Sequence, residues 1–107
     1  MIFVLDVRTA TPHFPGIGRY VTNLARALVG QLQSSESLLF LGRPEQASQF
    51  TDTRSTAVQF VACPATSFGL EQQWLVPQLL RQRARTAPVL FHSPYYLMPY
   101  RPGAPTV

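Results

Sequence analysis

The chain has 107 residues, of which 46% are apolar and 13% are charged, a composition that suits one globular domain with a modest core. Its net charge is +4, and all nine basic residues are arginines, so a lysine nucleophile, a Schiff base and a phosphate loop ending in Gly-Lys-Ser/Thr are excluded. Cys63 is the only cysteine, which excludes an internal disulfide and a cysteine-rich metal site.

The first residues, MIFVLDVR, lack the basic start and the small-residue cleavage site of a signal peptide. No uninterrupted apolar run approaches the roughly 18 residues that a membrane span needs. We therefore expect a soluble, cytoplasmic protein, with peripheral membrane contact as a further option. A positive charge carried by arginine fits phosphate-bearing small ligands, nucleic acid or an anionic membrane surface, and it does not choose among them.

Short apolar runs rich in β-branched and aromatic residues alternate with amphipathic or polar stretches. Four such runs have the pattern of strands buried in a parallel sheet: Ile2 to Val7, Leu38 to Gly42, Ala57 to Cys63 and Pro88 to Ser93. After the first run, apolar residues recur at three- and four-residue steps and predict a helix: Ile17, Val21, Leu24, Ala25, Leu28 and Leu32. The polar connection after Gly42 allows a short turn of helix around Glu45 to Phe50.

A second amphipathic stretch, FGLEQQWLVPQLLRQRAR, precedes the last strand. It predicts a helix in which Trp74 belongs to the core and Pro77 kinks the helix or divides it in two. Arginines at its C-terminal end suit the helix dipole: Arg81, Arg83 and Arg85. Strands alternating with helices predict an α/β fold, a Rossmann-like parallel sheet of order 3-2-1-4 flanked by helices, with binding loops at the carboxyl ends of the strands.

The connection after the first strand carries the first candidate site. Gly16 and Gly18 precede or open the first helix, where free backbone N–H groups favour an anion and glycine permits its close approach. Arg19 can add a charge-assisted contact. The alternative is that the glycines only shape a turn. A dinucleotide site is disfavoured, because Val21 stands at the third glycine position and Gly42 at the usual acidic position.

The end of the fourth strand carries the second candidate site. His92 and Ser93 fall at the binding edge, where His92 suits acid–base chemistry, a hydrogen bond to a ligand, or a structural role. A Cys63–His92 dyad is disfavoured, because strands three spacings apart are about 14 Å apart. Tyr95 and Tyr96, with Tyr100, offer aromatic contacts to a sugar or acceptor, or pack the loop. The scattered acidic and histidine residues predict no metal cluster.

Several stretches together resemble the N-terminal domain of glycosyltransferase family 4, the retaining enzymes with a GT-B fold. They follow one another in the family's order over nearly the whole chain: DVR, GIGRYVTNLARAL, LEQQWLVPQLL and VLFHSPYYLMPYRPGAPTV. The resemblance implies an acceptor-side domain, metal-independent transfer from a nucleotide sugar and retention at the anomeric carbon. It assigns Gly16, Ile17, Gly18 and Arg19 to the loop near the donor diphosphate and the acceptor, and His92, Ser93, Tyr95 and Tyr96 to the acceptor side.

The resemblance also implies that residues 1–107 are an incomplete N-terminal half whose donor-binding domain is absent. We therefore expect no sugar transfer by this chain alone, and no cofactor besides the nucleotide-sugar substrate. An unpaired apolar edge on the fourth strand predicts self-association, there or through the tail from Tyr95 to Val107. Two alternatives stay open: a non-catalytic arginine-rich module for nucleic acid or an anionic surface, although we expect no nucleic-acid partner, and, less favoured, a nucleotide-binding oxidoreductase domain.

Overall fold

The computed structural model describes residues 1–11, 15–50, 57–63, 72–94 and 105–106. Their architecture is α/β, with one parallel four-stranded sheet in the order β3-β2-β1-β4. Its strands are β1 Ile2–Asp6, β2 Ser37–Gly42, β3 Val58–Ala62 and β4 Val89–His92. The predicted fold class, strand order and four strand positions are therefore confirmed, with differences of one residue at the strand ends.

Three α-helices flank the sheet: α1 Pro15–Gln31, α2 Ala47–Phe50 and α3 Gln72–Ala84. A 3-10 turn, Pro44–Gln46, leads directly into α2, so the short helical segment expected around Glu45 to Phe50 is present. Pro15 occupies the first position of α1. Proline is tolerated there because the N–H that it lacks would have no partner within the helix. Pro77 lies inside α3, which continues through it as one helix.

Two apolar clusters separate the helices onto opposite faces of the sheet. On one face, α1 and α2 cover a cluster that includes Leu5, Val21, Ala25, Phe40 and Phe50. On the other face, α3 covers a cluster of strand and helix residues: Val4, Leu39, Leu41, Val76, Leu80, Val89 and Phe91. Strand residues alternate between the two clusters because successive side chains of a strand point to opposite faces. Helices on both faces explain why the strands read as continuous apolar runs.

The prediction that Trp74 belongs to the core is wrong, because its side chain is 57% exposed. The apolar stripe of α3 instead uses Val76 and Leu80, four residues apart and both about fully buried. Proline at position 77 is buried beside them. Helical spacing alone does not separate Trp74 from the core residues of α3, because Trp74 lies only one position from the buried stripe.

The outer edge of β4 is not fully unpaired, which corrects the expected open edge. Thr106 forms an isolated parallel bridge with Phe91, and the Phe91 N–H donates a hydrogen bond of 2.8 Å to the Pro105 carbonyl. Residues 105–106 therefore lie alongside β4 at the outer edge of the sheet. None of the helices in the described ranges is long and apolar enough to cross a membrane.

Candidate functional site at the carboxyl ends of the strands

A buried ion pair organises the end of β1. The Arg8 guanidinium binds the Asp6 carboxylate through two nitrogens, with Nη2 to Oδ2 at 2.6 Å and Nε to Oδ1 at 2.9 Å. The Arg8 backbone N–H donates to the same Oδ1 at 3.0 Å. Both residues are almost fully buried. Paired geometry of this kind holds the chain in one conformation as it leaves the strand.

The environment of Arg8 stabilises the charged form of its guanidinium. Burial by itself lowers the pKa of Arg8, but the hydrogen bonds and the negative charge of Asp6, with a further contribution from Cys63, more than compensate and raise this pKa above its ordinary value. Arg8 is therefore a permanent cation beneath the carboxyl edge of the sheet. The guanidinium is held by the Asp6 carboxylate and does not reach the surface, since the Arg8 side chain is 0% exposed.

Gln46 joins the connection after β2 to the connection after β1. Its Nε2 donates to the Val7 carbonyl at 2.8 Å and to the Ala10 carbonyl at 3.2 Å, while its Oε1 accepts from the Arg43 N–H at 2.9 Å. All of its amide contacts are to backbone, so the side chain sets the distance between the two connections. Gln46 is buried, as such a fully bonded amide can be.

Gly42, at the end of β2, allows that contact. A β-carbon at this position would stand 2.9 Å from side-chain atoms of Phe60 and Val7, and 3.0 Å from Oε1 of Gln46. The acidic side chain that a dinucleotide fold places at the end of this strand has no room here. The packing therefore adds a physical reason to the sequence argument against a dinucleotide site.

The predicted loop residues Gly16, Ile17, Gly18 and Arg19 form the first turn of α1. Since α1 follows β1, this turn lies at the carboxyl end of the sheet, where helix N–H groups remain without intrahelical partners. Gly18 and Arg19 border a pocket of about 430 Å³, the polar pocket, together with Thr11 and Asn23. Gly16 is exposed, and no described residue outside its own turn would lie within 4 Å of a β-carbon on it.

His92 and Ser93 lie at the end of β4, next to β1, where His92 is the register partner of Leu5. Both side chains are half-buried. His92 borders a different, apolar depression between α1 and the sheet, together with Tyr20 and Leu24. Within the described residues, the two predicted sets share an edge of the sheet but line separate pockets.

Two other predictions concern this edge. Tyr95 and Tyr96 lie outside the described residues, as does Tyr100. The strand order places β2 and β1 between Cys63, at the end of β3, and His92, which agrees with the argument against a thiol dyad. Among the described residues, no group of three or more metal-ligating side chains occurs.

Sequence reasoning missed the residues that build the edge: Asp6, Arg8, Thr9 and Gln46. Asp6 and Arg8, two apart at the end of an apolar strand, carried a usable signal, because a charged pair there must be buried and matched. Gln46 gave no signal, since its partners are backbone groups far away in sequence. Thr9 is buried, and its Oγ1 has no hydrogen-bond partner in the part of the chain that is described.

Comparison with protein-family models, curated proteins and solved structures gives no match. The fold is a Rossmann-like parallel sheet, and the first turn of α1 lies at its carboxyl edge beside a pocket bordered by Gly18 and Arg19.

Proposed function

We propose that this chain is the N-terminal, acceptor-binding part of a retaining glycosyltransferase, which moves a sugar from a nucleotide-sugar donor to an acceptor. The observation that carries the proposal is the position of Gly18 and Arg19 on a pocket at the start of α1. A diphosphate suits that place, because helix N–H groups and a guanidinium both favour phosphate oxygens.

The local chemistry supports a phosphate ligand rather than a metal-bound one. Of the residues that the structure describes, those that border the polar pocket include one cation and no carboxylate: Ala10, Thr11, Pro15, Gly18, Arg19, Thr22, Asn23 and Gln49. Hydroxyl and amide groups of Thr11 and Asn23 can bind sugar or phosphate oxygens. The ordered resemblance of GIGRYVTNLARAL and VLFHSPYY to family 4 enzymes raises glycosyl transfer above other reactions of phosphate-bearing ligands.

In the proposal, His92 and Ser93 belong to the acceptor side. Their half-burial at the end of β4 leaves part of each side chain accessible, and β4 adjoins the strand that leads to the polar pocket. The donor nucleotide belongs to a second domain that the resemblance implies. We therefore expect the 107-residue chain alone to bind a diphosphate weakly and to transfer no sugar.

A titration with uridine diphosphate, followed by amide NMR, tests the proposal. The expected result is a shift of the Gly16, Ile17 and Gly18 amide resonances, with binding about tenfold or more weaker in Arg19→Gln because a charge-assisted contact is lost. Arg85→Gln is the matched control, since it removes an exposed arginine just beyond the C-terminal end of α3. Unchanged first-turn amides contradict the proposal, and turnover of a nucleotide sugar by this chain alone contradicts the expectation that it transfers no sugar.

One observation favours a second candidate, a module that contacts an anionic lipid surface. Trp74 is exposed on α3, and exposed Arg81 lies seven residues on, on the same side of the helix. Tryptophan and arginine together suit a membrane interface. Cosedimentation with anionic vesicles, lost in 0.5 M salt or in Trp74→Gln, would support this candidate, and equal recovery with neutral vesicles would contradict it.

A further inference from the structure

A second pocket lies on the solvent side of the core, between α1 and α2. It measures about 270 Å³ and is bordered by apolar groups of Ala25, Val29, Phe40 and Phe50. The rings of Phe40 and Phe50 pack with their centroids 5.3 Å apart and form its base. This pocket, here called the aromatic pocket, belongs neither to the predicted loop nor to the end of β4.

Polar groups border the aromatic pocket from both helices: Thr22 and Arg26 on α1, and Gln49 on α2. Thr22 and Arg26 are four residues apart on α1, and Ala25 and Val29 form the neighbouring row of the same helix face. Arg26 is exposed, and among the described residues it has no carboxylate within 4 Å. Within the described ranges, no carboxylate borders the pocket either. The pocket is therefore apolar at its base and positive at its rim.

The size and charge of the pocket decide what it can hold. Its volume lies just below the usual range of small-molecule sites, about 300–1,000 Å³, and is too small for a helix or a protein loop with its side chains. An apolar base calls for an aliphatic segment, and an arginine without a carboxylate calls for an anion. A ligand that matches both has a single aliphatic chain ended by an anionic group.

We propose that the aromatic pocket binds such an anionic amphiphile, with its chain on Phe40 and Phe50 and its phosphate or carboxylate group on Arg26. This function goes beyond the proposed glycosyl transfer and does not depend on it. The aliphatic stem of Arg26 can cover the end of the chain while its guanidinium contacts the head group in water. Thr22 and Gln49, which border both pockets, connect this site to the polar pocket.

Binding of soluble twelve-carbon probes below their micelle concentration tests the inference. Dodecyl phosphate and dodecanoate are compared with dodecanol, which supplies the chain alone, and inorganic phosphate, which supplies the head alone. We expect at least one anionic probe to shift resonances of Ala25, Val29 and Phe50, and to bind at least tenfold more tightly than dodecanol and phosphate. The stronger of the two anionic probes identifies the head group.

Two variants locate the site. Arg26→Gln is expected to weaken the anionic probe tenfold or more, down to the affinity of dodecanol. Val29→Glu places a negative charge at the half-buried rim and is expected to abolish binding, while the far-ultraviolet circular dichroism spectrum stays native. Arg85→Gln is the matched control and is expected to change nothing. Trp74 emission should also stay constant, because α3 lies on the opposite face of the sheet.

Equal affinities for all four probes, binding that Arg26→Gln leaves unchanged, or shifts confined to Tyr20 and Leu24 at the other apolar depression would each overturn the inference. Its failure is separable from failure of the glycosyltransferase proposal, because the uridine diphosphate titration reports on Gly16 to Gly18 and uses neither Phe50 nor Arg26.

Discussion

Gly18 lies so close to Thr11 that a β-carbon on it would stand 3.3 Å from the Thr11 carbonyl oxygen. Thr11 belongs to the connection that leaves β1, and Gly18 is the fourth residue of α1. The second glycine of the GIG sequence therefore has a packing role, since it lets the connection cross the first turn of the helix. Gly16 has no such neighbour in the described part of the chain.

This difference predicts opposite outcomes for two alanine substitutions. Gly16→Ala is expected to raise the free energy of unfolding by up to about 1 kcal/mol, because alanine is the better helix residue and space is open. Gly18→Ala gains the same propensity but must displace the Thr11 carbonyl, so we expect it to be neutral or destabilising. Urea unfolding of both variants measures the difference. A more stable Gly18→Ala would contradict the packing role.

The two variants also separate packing from ligand binding. If a phosphate approaches the first turn, Gly16→Ala should weaken uridine diphosphate binding although it stabilises the fold. Unchanged binding in Gly16→Ala would mean that the ligand does not approach this backbone closely. It would favour the simpler interpretation that the glycines only shape the turn.

The buried hydroxyl of Thr9 also leads to a prediction about stability. Its hydroxyl is buried without a partner in the described structure, and an unsatisfied buried hydroxyl destabilises a fold by about 1–3 kcal/mol. Thr9→Val is expected to leave stability unchanged or to raise it by up to about that amount, as measured by thermal unfolding. Thr9→Ser, which keeps the hydroxyl, is the control. A destabilised valine variant with a native-like serine variant would show that the hydroxyl is bonded in solution.

The sequence predicts those features of the fold that depend on residues close together in the chain. Apolar runs such as Leu38 to Gly42 and the stripe of α1 are local, and they led directly to the sheet order and to the face that α1 buries. Trp74 was misplaced because one helical position decides between core and solvent. The network of Gln46 could not be predicted, because its amide pairs with carbonyl groups 36 and 39 residues away.

We expect the loss of one charge of the Asp6–Arg8 pair to lower the free energy of unfolding more than the charges contribute when both are removed together. Arg8→Met leaves a buried carboxylate without its partner, and Asp6→Leu leaves a buried guanidinium without its partner, so each is expected to destabilise the fold by about 3–5 kcal/mol. The double variant Asp6→Leu with Arg8→Met removes both charges and is expected to lose less than the sum of the two single variants.

Denaturant unfolding of the four proteins completes this double-mutant cycle. The pKa of Arg8 is raised in the folded state, so the stability it adds is fully present below its unfolded-state pKa and is lost only as pH rises through the folded-state value, at strongly alkaline pH. The single-variant losses should therefore be the same at pH 7 and pH 9. Losses below about 1 kcal/mol for each single variant would contradict the pairing.

The exposure of Trp74 can be measured directly, because it is the only tryptophan in the chain. We expect its emission to shift little on unfolding and acrylamide to quench it readily in the folded protein. Trp74→Gln should change the free energy of unfolding by no more than about 0.5 kcal/mol, whereas Leu80→Ala, on the buried side of the same helix, should cost about 2–5 kcal/mol. Emission that is protected from acrylamide in the folded chain would place Trp74 in the core after all, and the lipid-surface candidate would then lose its main support.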